Sequence, residues 1–281
     1  MNAMSTRVRR VVWHVAALAI LVVLLYPVVW TIGASFTPST DIVGSLELFP
    51  AEPTGANYTR AAEGIAGVSV WTFFRNSVVL AGLAVLGTVA SSAMAGYAFA
   101  RLRFRGRGLM FTMMIGTLLL PFHVMIIPQY IIFQRAGLID TFVPLLIGKF
   151  LATEAFFVFL IVQFMRTLPK ELDEAATIDG CGHLRLFWNV ILPLSRPALI
   201  TVSIFTFIWT WNDFLGPLLY LNSPENYPLP IALQAFIDQT TTSDYGAMIA
   251  MSLLALVPVL LFFLAFQRYL VEGVATSGVK G

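Results

Sequence analysis

The sequence predicts an all-α membrane protein with six membrane-spanning helices. Hydrophobic residues make up 58% of the 281 residues and charged residues only 11%, whereas soluble domains carry about 25% charged residues. The apolar residues fall in stretches of about 20 residues, the length that a helix needs to cross a bilayer. Lys and Arg fall mainly in every second connecting segment, as a defined membrane topology requires.

Stretches with few charges define the six predicted spans. Four spans contain no Asp, Glu, Lys or Arg, whereas the fourth contains Lys149 and Glu154 and the fifth contains Asp213. The predicted spans are residues 11–33, 76–100, 108–132, 142–165, 197–220 and 245–267. Together they form one transmembrane domain, 1–281, with a cytoplasmic loop at 167–196. Prolines that allow kinks within spans are Pro121, Pro128 and Pro258.

The orientation follows from the 17 Lys and Arg residues. With both termini in the cytoplasm, thirteen of them lie on the inner side, in agreement with the positive-inside rule. The run from Arg101 to Arg107 either anchors this topology or docks acidic lipid or protein. The inner residues are Arg7, Arg9, Arg10, Arg101, Arg103, Arg105, Arg107, Arg166, Lys170, Arg185, Arg196, Arg268 and Lys280.

Several chemistries find no support in the sequence. The net charge of +2 is too small to indicate nucleic acid binding, and the single cysteine, Cys181, excludes an internal disulfide. No CxxC pair or histidine cluster predicts a metal site. The G-x-x-x-x-G-K-[ST] phosphate loop is absent, since Val143 stands where Gly148-Lys149 would need an upstream glycine. We therefore expect no cofactor or metal on this chain and no nucleic acid partner.

The segment Thr167–Leu199 predicts a helix–glycine–helix on the cytoplasmic face. Pro169 suits the first turn of a helix, because its missing N–H would have no partner there, and acidic residues follow near the positive helix end. Gly180 ends this helix through the left-handed conformation, and a second short helix is predicted over residues 184–190. Small residues near Gly180 would let another surface approach closely. The pattern fits either an amphipathic segment at the membrane surface or a docking site.

The same segment resembles the EAA loop of the permeases of binding-protein-dependent ABC importers. The matching residues are Glu174, Ala175, Ala176, Gly180, Val190, Leu192 and Pro193. Val190 stands where isoleucine is usual. Other stretches resemble the sugar branch of the family, for example the smaller membrane subunit of the maltose transporter. These stretches are Gly96–Arg107, Ile127–Tyr130, Gly137–Thr141, Thr210–Leu218 and Val271–Gly281.

This resemblance implies the type I ABC importer permease fold and a place in the bacterial inner membrane. It implies that the chain forms half of a translocation path with a second permease subunit. A cytoplasmic ATPase dimer would hold ATP and Mg, and an extracytoplasmic binding protein would deliver a disaccharide, an oligosaccharide or a glycerol-phosphate-type polyol. The residues that couple to the ATPase would be Glu174, Ala175, Ala176, Asp179, Gly180, Val190, Leu192 and Pro193.

Charged residues within the spans are candidates for the substrate path, because a charge at the centre of a helix costs ~2.5–3.5 kcal/mol on insertion scales. Glu154 lies near the middle of the fourth span. In a continuous helix, a spacing of five residues would put Lys149 on a different face. The family usually has a smaller polar residue at the position of Glu154. Glu154 therefore either selects substrate or is a protonated or paired residue at a subunit interface.

The fifth span contains the second group of candidates. Trp209 precedes Asp213 by four residues, which in a continuous helix puts both on one face. With Asn212 they would offer a sugar an aromatic ring beside hydrogen-bonding groups. The alternative is a tryptophan of the interfacial aromatic belt next to an aspartate in a structural hydrogen bond.

Two other classes of function fit parts of the pattern. A proton-coupled secondary transporter would use Glu154 as its proton site and would work without an ATPase, but the EAA loop argues against it. An intramembrane enzyme has no support, because HExxH, GxSxG and paired carboxylates on one span are absent. The leading hypothesis is a transport subunit that is not itself an enzyme.

Overall fold

The computed structural model describes residues 6–238 and 244–278, with side chains for all of these except residues 6, 122, 238 and 268–278. The described residues form α-helices, a π-helical turn at Phe187–Ile191, a 3-10 turn at Pro224–Asn226 and one isolated bridge between Ile65 and Val68. The all-α prediction is confirmed. The helices are α1 (Thr6–Ala34), α2 (Ala56–Glu63), α3 (Val70–Arg101), α4 (Arg107–Thr117), α5 (Phe122–Arg135), α6 (Val143–Phe150), α7 (Ala155–Thr167), α8 (Glu171–Ile178), α9 (His183–Leu186), α10 (Leu192–Leu194), α11 (Arg196–Trp211), α12 (Leu215–Tyr220), α13 (Leu229–Asp238) and α14 (Tyr245–Gly278).

Four helical segments of the described chain are long and apolar enough to cross a membrane, and a bent pair makes a fifth. The four are Arg7–Ala34, Val70–Arg101, Val143–Thr167 and Tyr245–Gln267, and the pair is His183–Leu194 with Arg196–Trp211, bent by 74°. The chain is therefore a multi-pass membrane protein. The count of six spans in one transmembrane domain stays a prediction.

The third predicted span, 108–132, is divided into two helices. α4 ends at Thr117 and α5 begins at Phe122, and Pro121 between them is extended, with φ −62° and ψ 127°. A proline disfavours the helical conformation of the residue before it, so the chain leaves the helix ahead of Pro121. By contrast, Pro128 and Pro258 lie inside α5 and α14.

The chain divides into two compact units, and the first comprises residues up to 70 with residues 233–257. Its central polar group is Asn57, which is fully buried. The Asn57 amide donates hydrogen bonds to the carbonyls of Ser35 at 2.9 Å and Thr37 at 2.7 Å. Because a buried amide requires such partners, Asn57 fixes the connection from α1 to α2. Arg60 pairs with Asp244 at 3.0 Å and joins α2 to the residue that precedes α14.

The second unit comprises residues 71–232 and those from 258 onward. Its main apolar core joins α3, α7, α11 and the helices between α7 and α11. The buried members are Ala93, Tyr97, Phe157, Ile161, Met165, Ala176, Leu186, Phe187, Ile191 and Val202. Gly96 permits close contact of α3 with α7, because a Cβ there would lie 2.5 Å from Cγ2 of Ile161. This core connects the predicted cytoplasmic loop directly to the membrane helices.

Candidate coupling loop and membrane site

The loop after α7 has the predicted helix–glycine–helix geometry. α8 carries Glu171, Asp173 and Glu174 in its first turn, where the helix dipole favours negative charge. Gly180 ends the turn with φ +77°, a conformation that glycine adopts without steric cost. The N–H of Cys181 then donates to the carbonyl of Ala176 at 2.9 Å, which closes the helix end.

The second helix of the loop differs from the prediction of one short helix over 184–190. α9 covers only His183–Leu186, and a π-helical turn follows at Phe187–Ile191. α10 and α11 then meet at Ser195, where the chain bends by 74°. Extra residues in a π-turn alter the direction in which side chains point, so this stretch does not keep simple helical periodicity.

The eight predicted coupling residues divide between the surface and the core. Glu174, Ala175, Asp179 and Gly180 are exposed. Ala176 is buried, and Val190 and Leu192 pack against the main core. Pro193 lies at the start of α10 and is half-buried. The exposed members are available to another protein, and Val190 and Leu192 also help to anchor the loop on the apolar core.

Three exposed apolar side chains belong to the same loop and were missed by the sequence analysis. Ile178 is 86% exposed, Leu184 is 78% exposed and Trp188 is 60% exposed. In sequence, Ile178 lies two residues before Gly180, and Leu184 and Trp188 lie four and eight residues after it. Their signal was the presence of large apolar residues in a segment otherwise classed as cytoplasmic. Clustered exposed apolar residues are typical of an interaction surface.

The fourth span is interrupted, and this changes the relation between Lys149 and Glu154. α6 ends at Phe150, Ala152 has φ +56°, and α7 begins only after Glu154. Lys149 Nζ lies 2.6 Å from Glu154 Oε1. The expectation that the two residues lie on different faces is therefore wrong, because helical spacing does not apply across the interruption. Glu154 is therefore paired with Lys149 of its own chain, and its roles in substrate selection and at a subunit interface stay predictions.

Trp209 and Asp213 do not share a helical face, because α11 ends at Trp211. The Asp213 carboxylate instead accepts a hydrogen bond from the N–H of Gly216 at 3.1 Å, at the start of α12. Trp209 packs its ring against Phe157 with a centroid distance of 5.2 Å. The predicted pair of an aromatic ring beside an acidic group is therefore not formed by these two residues.

Asn212 lies in the gap between the two helices. Its amide donates to the carbonyl of Ile208 at 2.7 Å, and the side chain is exposed. Of the four substrate-path candidates, Glu154 directly precedes α7, and Trp209 of α11 packs against Phe157 near the start of α7. Asn212 and Asp213 lie in the interruption of the fifth span.

The two interrupted spans are neighbours. α7 packs against α11, and α6 packs against α12. The interruption at residues 151–154 therefore lies beside the one at residues 212–214. Lys149 is also within electrostatic range of Asp213, so one ammonium faces two carboxylates. Irregular backbone at membrane depth occurs where it is buried in protein or lines a wet cavity, and interrupted helices form the substrate sites of many transporters.

The sequence analysis included Asp140 only as a member of the stretch Gly137–Thr141. In the structure, Asp140 joins two loops of the second unit. Its carboxylate accepts hydrogen bonds from the N–H groups of Asn222 at 2.9 Å and Ser223 at 3.0 Å, and from Ser223 Oγ at 2.5 Å. Its N–H donates to the carbonyl of Tyr220 at 2.7 Å. Burial raises the pKa of Asp140, but the hydrogen bonds from Ser223 and Asn222 outweigh burial and lower the pKa from 3.8 to about 2.

Residues 87–276 match the family described as "Binding-protein-dependent transport system inner membrane component". The chain belongs to this family. The match includes the glycine loop and both interruptions, so the features described above lie within the family's common region. The match ends at residue 276, beyond the last residue of α14 whose side chain is described. The C-terminal motif Val271–Gly281 lies outside the residues whose side chains are described.

Relatives within this family are similar to the chain over nearly its whole length. The arabinooligosaccharides transport system permease protein AraQ of Halalkalibacterium halodurans is 34% identical, with 92% of this chain and 91% of the relative covered. The diacetylchitobiose uptake system permease protein DasC of Streptomyces coelicolor is 33% identical, with 96% and 97% covered.

A solved structure shows the same fold. It is the crystal structure of a bacterial ABC transporter involved in the import of the acidic polysaccharide alginate. One of its chains superimposes with a TM-score of 0.83 at 23% identity, with 96% of this chain and 99% of that chain covered. The predicted ABC importer permease fold is confirmed.

Proposed function

We propose that this chain is the transmembrane permease subunit of an ATP-driven ABC importer for a carbohydrate, a di- or oligosaccharide or a related polyol. The observation that carries the proposal is the loop after α7. It presents an acidic helix start, a glycine turn and the exposed apolar residues Ile178, Leu184 and Trp188. The cargo class is supported by relatives named for transport of arabinooligosaccharides and diacetylchitobiose.

The proposal assigns ATP hydrolysis to separate chains. An ATPase dimer that holds ATP and Mg binds the loop 167–196, and a second permease subunit completes the path. An extracytoplasmic binding protein delivers the sugar. Both termini lie in the cytoplasm, on the side of the bacterial inner membrane where most Lys and Arg of this chain fall.

The neighbouring interruptions of the fourth and fifth spans form this subunit's part of the substrate path. The polar side chains of Glu154, Asn212 and Asp213 supply hydrogen-bonding groups, and Trp209 supplies an aromatic ring. Sugars bind through this combination of an apolar face and directed hydrogen bonds.

A proton-coupled secondary transporter is the alternative function. It would use Glu154 as its proton site, but this side chain is engaged in an ion pair with Lys149 at 2.6 Å within its own chain. The exposed loop would also have no partner in such a transporter. The alternative is therefore not favoured.

The test replaces Gly180, the turn of the loop. Gly180→Ala and Gly180→Trp both place a Cβ on a residue with φ +77°, so they share the backbone strain, and only tryptophan adds bulk to the surface. We expect Gly180→Trp to abolish ATP hydrolysis stimulated by the binding protein and Gly180→Ala to retain part of it, with normal membrane insertion of both. The proposal is wrong if the Gly180→Trp complex hydrolyses ATP at the Gly180→Ala rate.

The orientation is tested independently with reporter fusions at Glu63, Arg185 and Lys280. Alkaline phosphatase, which is active outside the cytoplasm, should be active at Glu63 and inactive at Arg185 and Lys280. Activity at Arg185 or Lys280 would reverse the proposed topology and with it the docking side of the loop.

A further inference from the structure

The cytoplasmic end of α3 holds the glycine loop at two points. At the first, Arg101 Nη1 lies 3.1 Å from Asp173 Oδ2 in α8, and Arg101 Nη2 donates to the carbonyl of Leu168 at 2.9 Å. At the second, the Tyr97 hydroxyl donates to the carbonyl of His183 in α9 at 3.2 Å. The Arg101 side chain is only 4% exposed, so this contact is part of the interior and is not a surface ion pair.

The two contacts lie on opposite sides of Gly180. Asp173 belongs to the helix before the glycine turn and His183 to the helix after it. A turn that ends in a left-handed glycine would by itself leave these two helices free to rotate against each other. Because both are bonded to α3, the loop is attached to the end of α3 on each side of the glycine turn.

The same helix reaches the interruption of the fourth span. Ser91 Oγ donates to the carbonyl of Lys149 at 2.7 Å, and a Cβ on Gly87 would lie 2.7 Å from the Phe150 ring. Ser91 lies ten residues before Arg101, which is about 15 Å along a helix. One rigid helix therefore contacts both the glycine loop and the residues that precede Glu154.

We propose that Arg101 is a positioning residue that fixes the ATPase-binding loop to α3, so that α3 transmits movement of the loop to the interruption at residues 151–154. The proposal rests on the proposed function, because it requires an ATPase on the loop. Arginine suits the position because its planar group donates to the Asp173 carboxylate and the Leu168 carbonyl at once, which a lysine does less well.

The test measures whether ATP binding by the ATPase on the loop changes the exposure of residue 151. Leu151, 66% exposed, is replaced in the assembled complex by cysteine in a Cys181→Ser background, which leaves one cysteine in the chain. The rate of labelling by a hydrophilic maleimide is compared with and without ATP and vanadate. We expect ATP to change this rate in the parental complex, and Asp173→Asn to reduce the change by about 5-fold or more while the ATPase still co-purifies.

The double variant Arg101→Gln/Asp173→Asn separates positioning from general damage. Asp173→Asn leaves a buried guanidinium without its carboxylate, whereas the double variant removes both charges, so the double variant should recover part of the response. Glu63→Gln and Arg135→Gln remove exposed charges outside the loop 167–196 and outside the run from Arg101 to Arg107, and both should behave as the parental complex.

Three outcomes would overturn the proposal. They are an undiminished ATP response in Asp173→Asn, loss of the ATPase from Asp173→Asn but not from the controls, and absence of any ATP-dependent labelling at residue 151 in a parental complex that hydrolyses ATP. Failure of the parental complex to bind an ATPase at all would instead refute the proposed function.

Discussion

The Arg101–Asp173 and Lys149–Glu154 pairs place the same chemistry in two different regions of the second unit. Lys149 and Glu154 are five residues apart, on either side of one interruption, and their side chains are 20% and 24% exposed. Arg101 and Asp173 are 72 residues apart, and Arg101 is almost completely buried. The first pair neutralises charge locally within a membrane span, whereas the second joins two helices that are distant in sequence.

The comparison teaches that the role of an ion pair depends on what it joins. Loss of the local pair should affect stability, because it leaves one charge uncompensated near the membrane interior. Loss of the pair between helices should affect coupling, because the loop then moves without α3. The predictions below run from the largest expected effect to the smallest: the membrane pair itself, a carboxylate held by neutral hydrogen-bond donors instead of a cation, and an uncharged ring.

Breaking the membrane pair should have the largest effect on stability. Lys149→Gln leaves the Glu154 carboxylate uncompensated, and we expect a loss of about 3 kcal/mol in the free energy of unfolding. The double variant Lys149→Gln/Glu154→Gln should recover most of it, because the carboxylate that lost its closest partner is then also removed. Thermal denaturation of the purified complex measures both. Equal losses in the single and double variants would show that the pair does not stabilise the span.

Asp140 shows how a carboxylate is stabilised by hydrogen bonds from neutral groups. Asp140→Asn removes the charged acceptor of three hydrogen bonds, and we expect a loss of about 1–3 kcal/mol in stability at neutral pH. Because the pKa of Asp140 falls from 3.8 in the unfolded chain to about 2 when folded, its contribution is complete above pH 4 and is lost as the pH falls towards 2.

The pH series provides the control for Asp140. The difference in stability between the parental protein and Asp140→Asn should be constant from pH 8 to pH 5 and should shrink below about pH 4. A difference that grows on acidification would contradict the assignment of the hydrogen bonds to the ionised carboxylate.

The smallest effect is expected at Trp209, which carries no charge. Trp209→Ala removes ring contacts with Phe157, Phe156 and Phe205, but the residue is 49% exposed, so we expect a total loss of only about 1 kcal/mol in stability. If the ring also contacts sugar, Trp209→Ala raises the transport KM and Trp209→Phe restores it. A KM unchanged in Trp209→Ala, with only stability reduced, would assign the ring to packing alone.

The glycine loop was largely predictable because its signals are local. The acidic residues of α8 and Gly180 act within one or two turns of helix, and the structure has that helix and that glycine conformation, although α8 begins at Glu171 and Pro169 precedes it rather than occupying its first turn. The second half of the loop was less predictable, since the π-turn at Phe187–Ile191 depends on packing against the core. The burial of Ala176 likewise depends on residues far away in sequence.

The free-energy cost of placing a charge within a membrane span identified Glu154 and Asp213 as candidates, but the geometry around them was not predictable. Periodicity assumes a continuous helix, and the helices end at Phe150 and at Trp211. This is why Lys149 and Glu154 are in contact and why Trp209 and Asp213 are not on one face. Arg101 and Asp173 carry no local signal of their pairing, because contacts across 72 residues are set by the fold.

The single cysteine provides the most direct test of the docking claim. Cys181 follows Gly180 and is partly exposed, so the natural protein can be labelled there with a photoactivatable maleimide without any substitution. In the assembled complex, irradiation should cross-link Cys181 to the ATPase. The control places the label on Thr59→Cys in a Cys181→Ser background, on the opposite side of the proposed topology, and should give no such product. An ATPase cross-link from residue 59 and none from Cys181 would contradict the account.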